Sequence, residues 1–148
     1  MIWNEIKAAG NILGHKTSKQ EIQDLFGVIE RDLGDAKVKG LSSDRRFATA
    51  YNAALQAATI VMHCLGYRAK SEAHHYTTFM FLREALGGRF AGLADYFNAC
   101  RAKRNITDYD RAGEISDKEA DELVKETMRF YGEIKNWVSE KFPQYFKS

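Results

Sequence analysis

Hydrophobic residues recur along most of the 148 residues at three- and four-residue steps, the spacing of a single helix face. Period-two alternation is nowhere sustained, and Pro143 is the only proline. The pattern therefore predicts an all-α protein: one domain over residues 1–148, a single bundle of about five helices.

Residues 2–9 suit a short leading helix ending near Gly10 or Gly14, which makes 1–17 an N-terminal extension or helix. Ser18-Lys19-Gln20-Glu21 has the form of a capping box. Behind it Ile22, Leu25, Phe26, Ile29, Leu33 and Ala36 form a stripe to about residue 38, closed by Gly40. Ser42 or Ser43 caps the next helix, which is apolar on two faces. One face carries Phe47, Tyr51, Ala54, Leu55, Ala58, Met62 and Leu65, and the other Ala50, Ala53, Ala57, Ile60 and Cys64. A helix apolar all round belongs at the centre of a bundle, and Gly66 stops it.

Residues 67–73 read as a polar connection. A helix over His74 to Leu86 follows, with Tyr76, Phe79, Met80 and Leu86 as expected core positions, and Gly87-Gly88 breaks it. Residues 110–114 form a loop. Ser116-Asp117-Lys118-Glu119 is a second capping box. The last helix buries Ala120, Leu123, Val124, Tyr131, Ile134 and Val138 and ends before Pro143.

The helix that starts near Phe90 departs from the rule. Phe90, Leu93, Ala94 and Phe97 share one face, and the same row continues as Arg101, Arg104, Asn105 and Asp108, with Tyr109 at its edge. These polar positions fall within an arc of roughly 100° that overlaps the apolar one. Polar residues on an otherwise apolar stripe mark functional or strained sites. The plain alternative is a helix leaving the core near Cys100, with Arg104 merely pairing Asp108 on the surface, a contact of little worth in that order.

Composition changes this picture little. A net charge of +2 requires any basic site to be local, and Arg101-Ala102-Lys103-Arg104 is such a place. Cys64 and Cys100 read as reduced, packed thiols of a cytoplasmic protein. No apolar run reaches membrane-spanning length, and the N-terminus does not resemble a signal peptide. His15, His63, His74 and His75 show no local metal-ligand spacing, and no CxxC, HExxH, P-loop, GxGxxG or GxSxG occurs. No metal and no cofactor is therefore expected. Guanidiniums suit phosphate and stack on bases, so nucleotide or nucleic-acid phosphate is the chemistry that fits the cluster.

Three features in order resemble the HEPN (higher eukaryotes and prokaryotes nucleotide-binding) superfamily, close to its small prokaryotic single-domain members. They are Arg45-Arg46-Phe47-Ala48-Thr49-Ala50-Tyr51-Asn52-Ala53-Ala54, the end at Gly66-Tyr67-Arg68, and Arg104-Asn105-Ile106-Thr107-Asp108-Tyr109-Asp110 ahead of a capped last helix. The likeness spans roughly residues 20–140. It implies a four- to five-helix up-and-down, HEPN-like bundle, commonly a homodimer. Many members use an Arg-x4-6-His motif for metal-independent RNA cleavage. Others are toxin components paired with a nucleotidyltransferase in a toxin–antitoxin system, and some bind or scaffold without activity.

Arg104 matches the motif arginine and Asn105 the polar residue that follows it. No histidine comes after Arg104, and Asp108-Tyr109 takes that slot. An ordinary aspartate (pKa ~3.9) or tyrosine (pKa ~10) is poorly matched to proton abstraction at neutral pH. The first expectation is thus a binding module for nucleotide or RNA phosphate using Arg101, Arg104, Asn105 and Tyr109. The second is a metal-independent endoribonuclease with Arg104, Asp108 and Tyr109 as catalytic groups. The third is a structural scaffold.

Overall fold

The computed structural model describes residues 11–70, 74–109 (105–109 as backbone only) and 114–146. The expected leading helix over 2–9 lies outside them. In chain order the elements are β1 (Ile12–Gly14), α1 (Lys19–Asp35), α2 (Ser43–Cys64), β2 (Tyr67–Ala69), α3 (His74–Leu86), α4 (Gly88–Tyr109), α5 (Asp117–Lys141) and the single turn α6 (Pro143–Phe146). The architecture is all-α, as the periodicity predicts, with one small addition in the two strands.

Local signals set the helix ends. The Ser18, Ser42 and Ser116 hydroxyls accept from the backbone N–H of Glu21, Arg45 and Glu119. At Ser116 the box is complete, with the Glu119 carboxylate accepting from the Ser116 N–H at 3.1 Å. At Ser18 it is not: Glu21 turns its carboxylate toward Thr17 and His15 instead. Gly66 adopts φ +95°, a left-handed conformation that ends α2 and turns the chain into β2.

Helix α2 is the axis of the bundle and packs against α1, α3, α4 and α5. Ala50, Ala53, Ala54, Ala57 and Ala58 are fully buried, so backbones approach closely on every side. Asn52 of α2 donates to the buried carboxylate of Asp32 at 2.6 Å, fixing the register of α1 against α2. Phe79, Phe97 and Phe130 form a chain of rings, 5.8 and 5.2 Å between centroids, that locks α3, α4 and α5 together. No helix among the described residues is long and apolar enough to cross a membrane.

The structure corrects four details. β1 and β2 pair antiparallel, with Leu13 opposite Arg68, where a leading helix end and a polar connection were expected. Three-residue strands are too short to show alternation. Helix α1 stops at Asp35, and residues 36–40 are a turn closed by Gly40 at φ +87°. Tyr76 is 48% exposed and Met80 only half-buried. Thr77, Thr78, Phe81 and Leu82 take the core places beside Phe79, because α3 is buried between α2 and α4. Leu65 is also exposed, lying past the end of α2.

Candidate phosphate-binding site

Helix α4 enters the core through Phe90, Ala94 and Phe97, which are all buried. One turn further its stripe becomes Arg101 and Arg104, both half-buried rather than splayed into solvent. The Arg104 guanidinium carbon lies 5.4 Å from the centroid of the Tyr51 ring, and its Nε atom is buried. The Arg101 guanidinium lies 5.9 Å from the exposed ring of Tyr76, and its Nε donates to Asn98 Oδ1 at 2.9 Å. Each guanidinium thus rests near an aromatic ring, at cation–π range. The side chains of Asn105, Asp108 and Tyr109 lie outside the described residues, so the structure adds nothing to their expected roles. Lys103 is drawn away from the arginines into an ion pair with Glu119.

Two histidines from the start of α3 complete the cluster. The Tyr51 hydroxyl and His75 Nδ1 are 2.9 Å apart, and the His74 and His75 rings are 5.2 Å apart. Burial lowers the His75 pKa to about 4, assisted by His74, Arg104 and Arg101. Burial lowers His74 as well, so both imidazoles are neutral at neutral pH. Tyr51 moves the other way: burial raises its pKa against the opposing pull of Arg104 and Arg101. The phenol keeps its proton, and His75 is its hydrogen-bond partner among the described residues. The direction of this bond follows the His75 tautomer: where Tyr51 donates to Nδ1, the imidazole hydrogen sits on Nε2. His75 is then poised as a donor beside two guanidiniums, an arrangement suited to a phosphate oxygen.

A family model described as SAV_6107-like HEPN matches residues 39–135. The chain belongs to that HEPN family. No curated protein and no solved structure matches it. The HEPN match runs from the turn before α2 into α5 and so contains Tyr51, His75, Arg101 and Arg104, while β1 and α1 lie outside it.

Other features of this HEPN chain bear on alternative chemistry. Burial pushes the Cys64 thiol up to about 12 and the Cys100 thiol up to about 11, so neither is a thiolate nucleophile. A groove of about 500 Å³ between α4 and α5 is lined by Arg89 and Arg129 but also by Glu122, Glu126 and Glu133. It shares no residue with the arginine cluster, and its carboxylates make it a poor host for phosphate. Three groups with metal-ligating atoms, His15, Glu21 and His63, meet at the ends of β1, α1 and α2.

Sequence reasoning found the arginines and missed Tyr51 and His75 as their companions. A tyrosine on a core face did carry a hint, because a buried hydroxyl needs a partner. Nothing in the spacing singled out His75, which reaches Tyr51 only through the packing of α3 on α2.

Proposed function

We propose that this HEPN protein binds nucleotide or single-stranded RNA through phosphate contacts from Arg101 and Arg104. His75 adds a donor, and the exposed ring of Tyr76 is a surface for base stacking. One observation carries the reading: two half-buried guanidiniums converge with two neutral imidazoles and aromatic rings on one strip of the bundle. Cations beside stacking surfaces are the combination that recognises single-stranded nucleic acid without strict sequence choice. Asn105 and Tyr109, one and five residues past Arg104, extend the same strip in the sequence pattern. The HEPN family adds the expectation of a homodimer acting with a nucleotidyltransferase or within a toxin–antitoxin pair, and the sequence adds that of a cytoplasmic protein. Light scattering and co-purification with the neighbouring gene product test that part.

A second reading is favoured by one specific feature. His75 reaches the Tyr51–Arg104 pair from α3, supplying an imidazole near the arginine where the sequence motif lacks one. A metal-independent ribonuclease would need that imidazole as a base, with Arg104 stabilising the phosphorane and Asp108 or Tyr109 assisting. Burial lowers the His75 pKa to about 4, which makes the imidazole a weak base and favours binding instead.

The test is fluorescence anisotropy of a labelled single-stranded RNA at two salt concentrations, with chelator present throughout. Binding should weaken as salt rises. The slope of log K against log salt should flatten by about 0.7 for each phosphate contact removed in Arg101→Ala or Arg104→Ala. RNA recovered intact removes the ribonuclease. A flat titration at low salt removes the binding site.

A further inference from the structure

At the opposite end of α2 from its N-terminal cap, three chain segments bring metal-ligating groups together. His15 directly follows β1, and its backbone N–H donates to the Gly66 carbonyl at 2.8 Å. The β1–β2 pairing and the Lys70 N–H donating to the Asn11 carbonyl at 2.9 Å anchor the same segment from the other side. Glu21 stands in the first turn of α1 and His63 in the last turn of α2. Nothing in the phosphate reading uses these residues.

We propose that His15 Nε2, Glu21 Oε1 and His63 Nδ1 form a binding site for a divalent transition-metal ion, with zinc as the best fit. The three donor atoms lie within 4.8 Å of one another. Glu21 Oε1 is 2.7 Å from His15 Nε2 and 3.3 Å from His63 Nδ1. Ligands at ~2.0–2.2 Å in a tetrahedron stand about 3.3–3.6 Å apart, so changes of about 1.5 Å or less in these separations would seat an ion. Two imidazoles and one carboxylate are a borderline donor set with a net charge of −1 when the histidines are neutral. That set suits zinc and its neighbours rather than calcium or magnesium, which take oxygen ligands.

A second observation points to a ligand. Oε1 already accepts from the Thr17 hydroxyl at 2.6 Å and from His15. His63 Nδ1 is buried, faces that oxygen and makes no hydrogen bond among the described residues. A buried ring nitrogen aimed at an oxygen whose hydrogen bonds are already taken is costly in a bare protein and natural in a metal site. Glu21 is also the residue that abandons its capping box to point here. The side chains of His15 and Glu21 are 21% and 37% exposed, so solvent reaches the cluster and can complete the coordination shell. Because His15 lies just beyond β1, a bound ion would tie that segment to the ends of α1 and α2.

The test uses tag-free, chelator-stripped full chain titrated with Zn2+ in competition with a chromophoric chelator, and with Co2+ followed by visible absorption. The expected result is one equivalent bound, a Co2+ spectrum of low coordination number, and a melting temperature that rises with Zn2+ and saturates. Affinity should fall at least tenfold in Glu21→Gln and in His15→Ala, and stay unchanged in Asp121→Asn, whose carboxylate pairs with Arg46 near the other end of α2. Circular dichroism checks that each variant is folded, and Glu21→Gln keeps the shape of the side chain if His15→Ala does not fold. Failure of the wild type to compete with the chelator overturns the proposal. So does tight binding that survives Glu21→Gln in a folded protein.

Discussion

Replacing Tyr51 by phenylalanine removes one oxygen from the centre of the arginine cluster and leaves the ring in place. The lost interaction is a neutral hydrogen bond of 2.9 Å to His75 Nδ1, worth about 1 kcal/mol. No cavity opens, and the ring keeps its edge contact with Phe79, 5.9 Å between centroids, and its place under the Arg104 guanidinium. His75 is only half-buried, so water can reach the freed nitrogen, and the net cost should stay near ~0.5–1.5 kcal/mol. Tyr51→Ala also loses a fully enclosed ring and should cost ~3–5 kcal/mol. Urea unfolding followed by circular dichroism measures both. At this chain length 1 kcal/mol corresponds to a melting shift of roughly 2–4 °C. Proton NMR of the His75 ring supplies an independent check. Burial is the main cause of its low pKa, so the midpoint should be about 4 in the wild type and remain well below 6.5 in Tyr51→Phe. RNA affinity should change little, since both guanidiniums keep their ring supports. The reasoning is refuted if Tyr51→Phe is as damaging as Tyr51→Ala, or if His75 titrates near an ordinary imidazole value.

Three further outcomes are expected. Stability should decline as the pH drops below about 6.5, because the unfolded chain takes up protons that folded His75 and His74 refuse, and the His75 contribution levels off below about 4. For His75 the loss at pH 5 should be about 1 kcal/mol, half the unscreened figure because the ring is partly solvated; His75→Gln should flatten the profile by that amount, and an unchanged profile contradicts the assignment. Phe97→Ala removes the ring shared by Phe79 and Phe130 and should cost ~3–5 kcal/mol in urea unfolding, whereas a loss below about 1 kcal/mol would mean the aromatic chain does not hold α3, α4 and α5 together. Ser116→Ala breaks the complete capping box and should cost about 1 kcal/mol, while Ser18→Ala, whose box is half-made, should cost less in the same assay.

The all-α architecture and most helix limits were legible in the sequence, because they rest on local rules. Ser116 caps a helix through an amide three residues away, and Gly66 stops one through its own backbone freedom. The stripe Ala120, Leu123, Val124, Ile134 and Val138 faces inward because 3.6 residues make a turn. The same periodicity placed Arg101 and Arg104 on the inner row of α4, and the HEPN resemblance followed from the order of such local pieces. Tertiary structure alone decided which side chains meet. Tyr51 finds His75 across 24 positions, and His15 finds His63 across 48, through the packing of separate elements on α2. No spacing along one element encodes those encounters, since they depend on how far each helix slides and rotates against its neighbour. Tyr76 departs from its expected core place for the same reason: a ring at helical spacing names a face, but the neighbouring helices determine whether that face is covered.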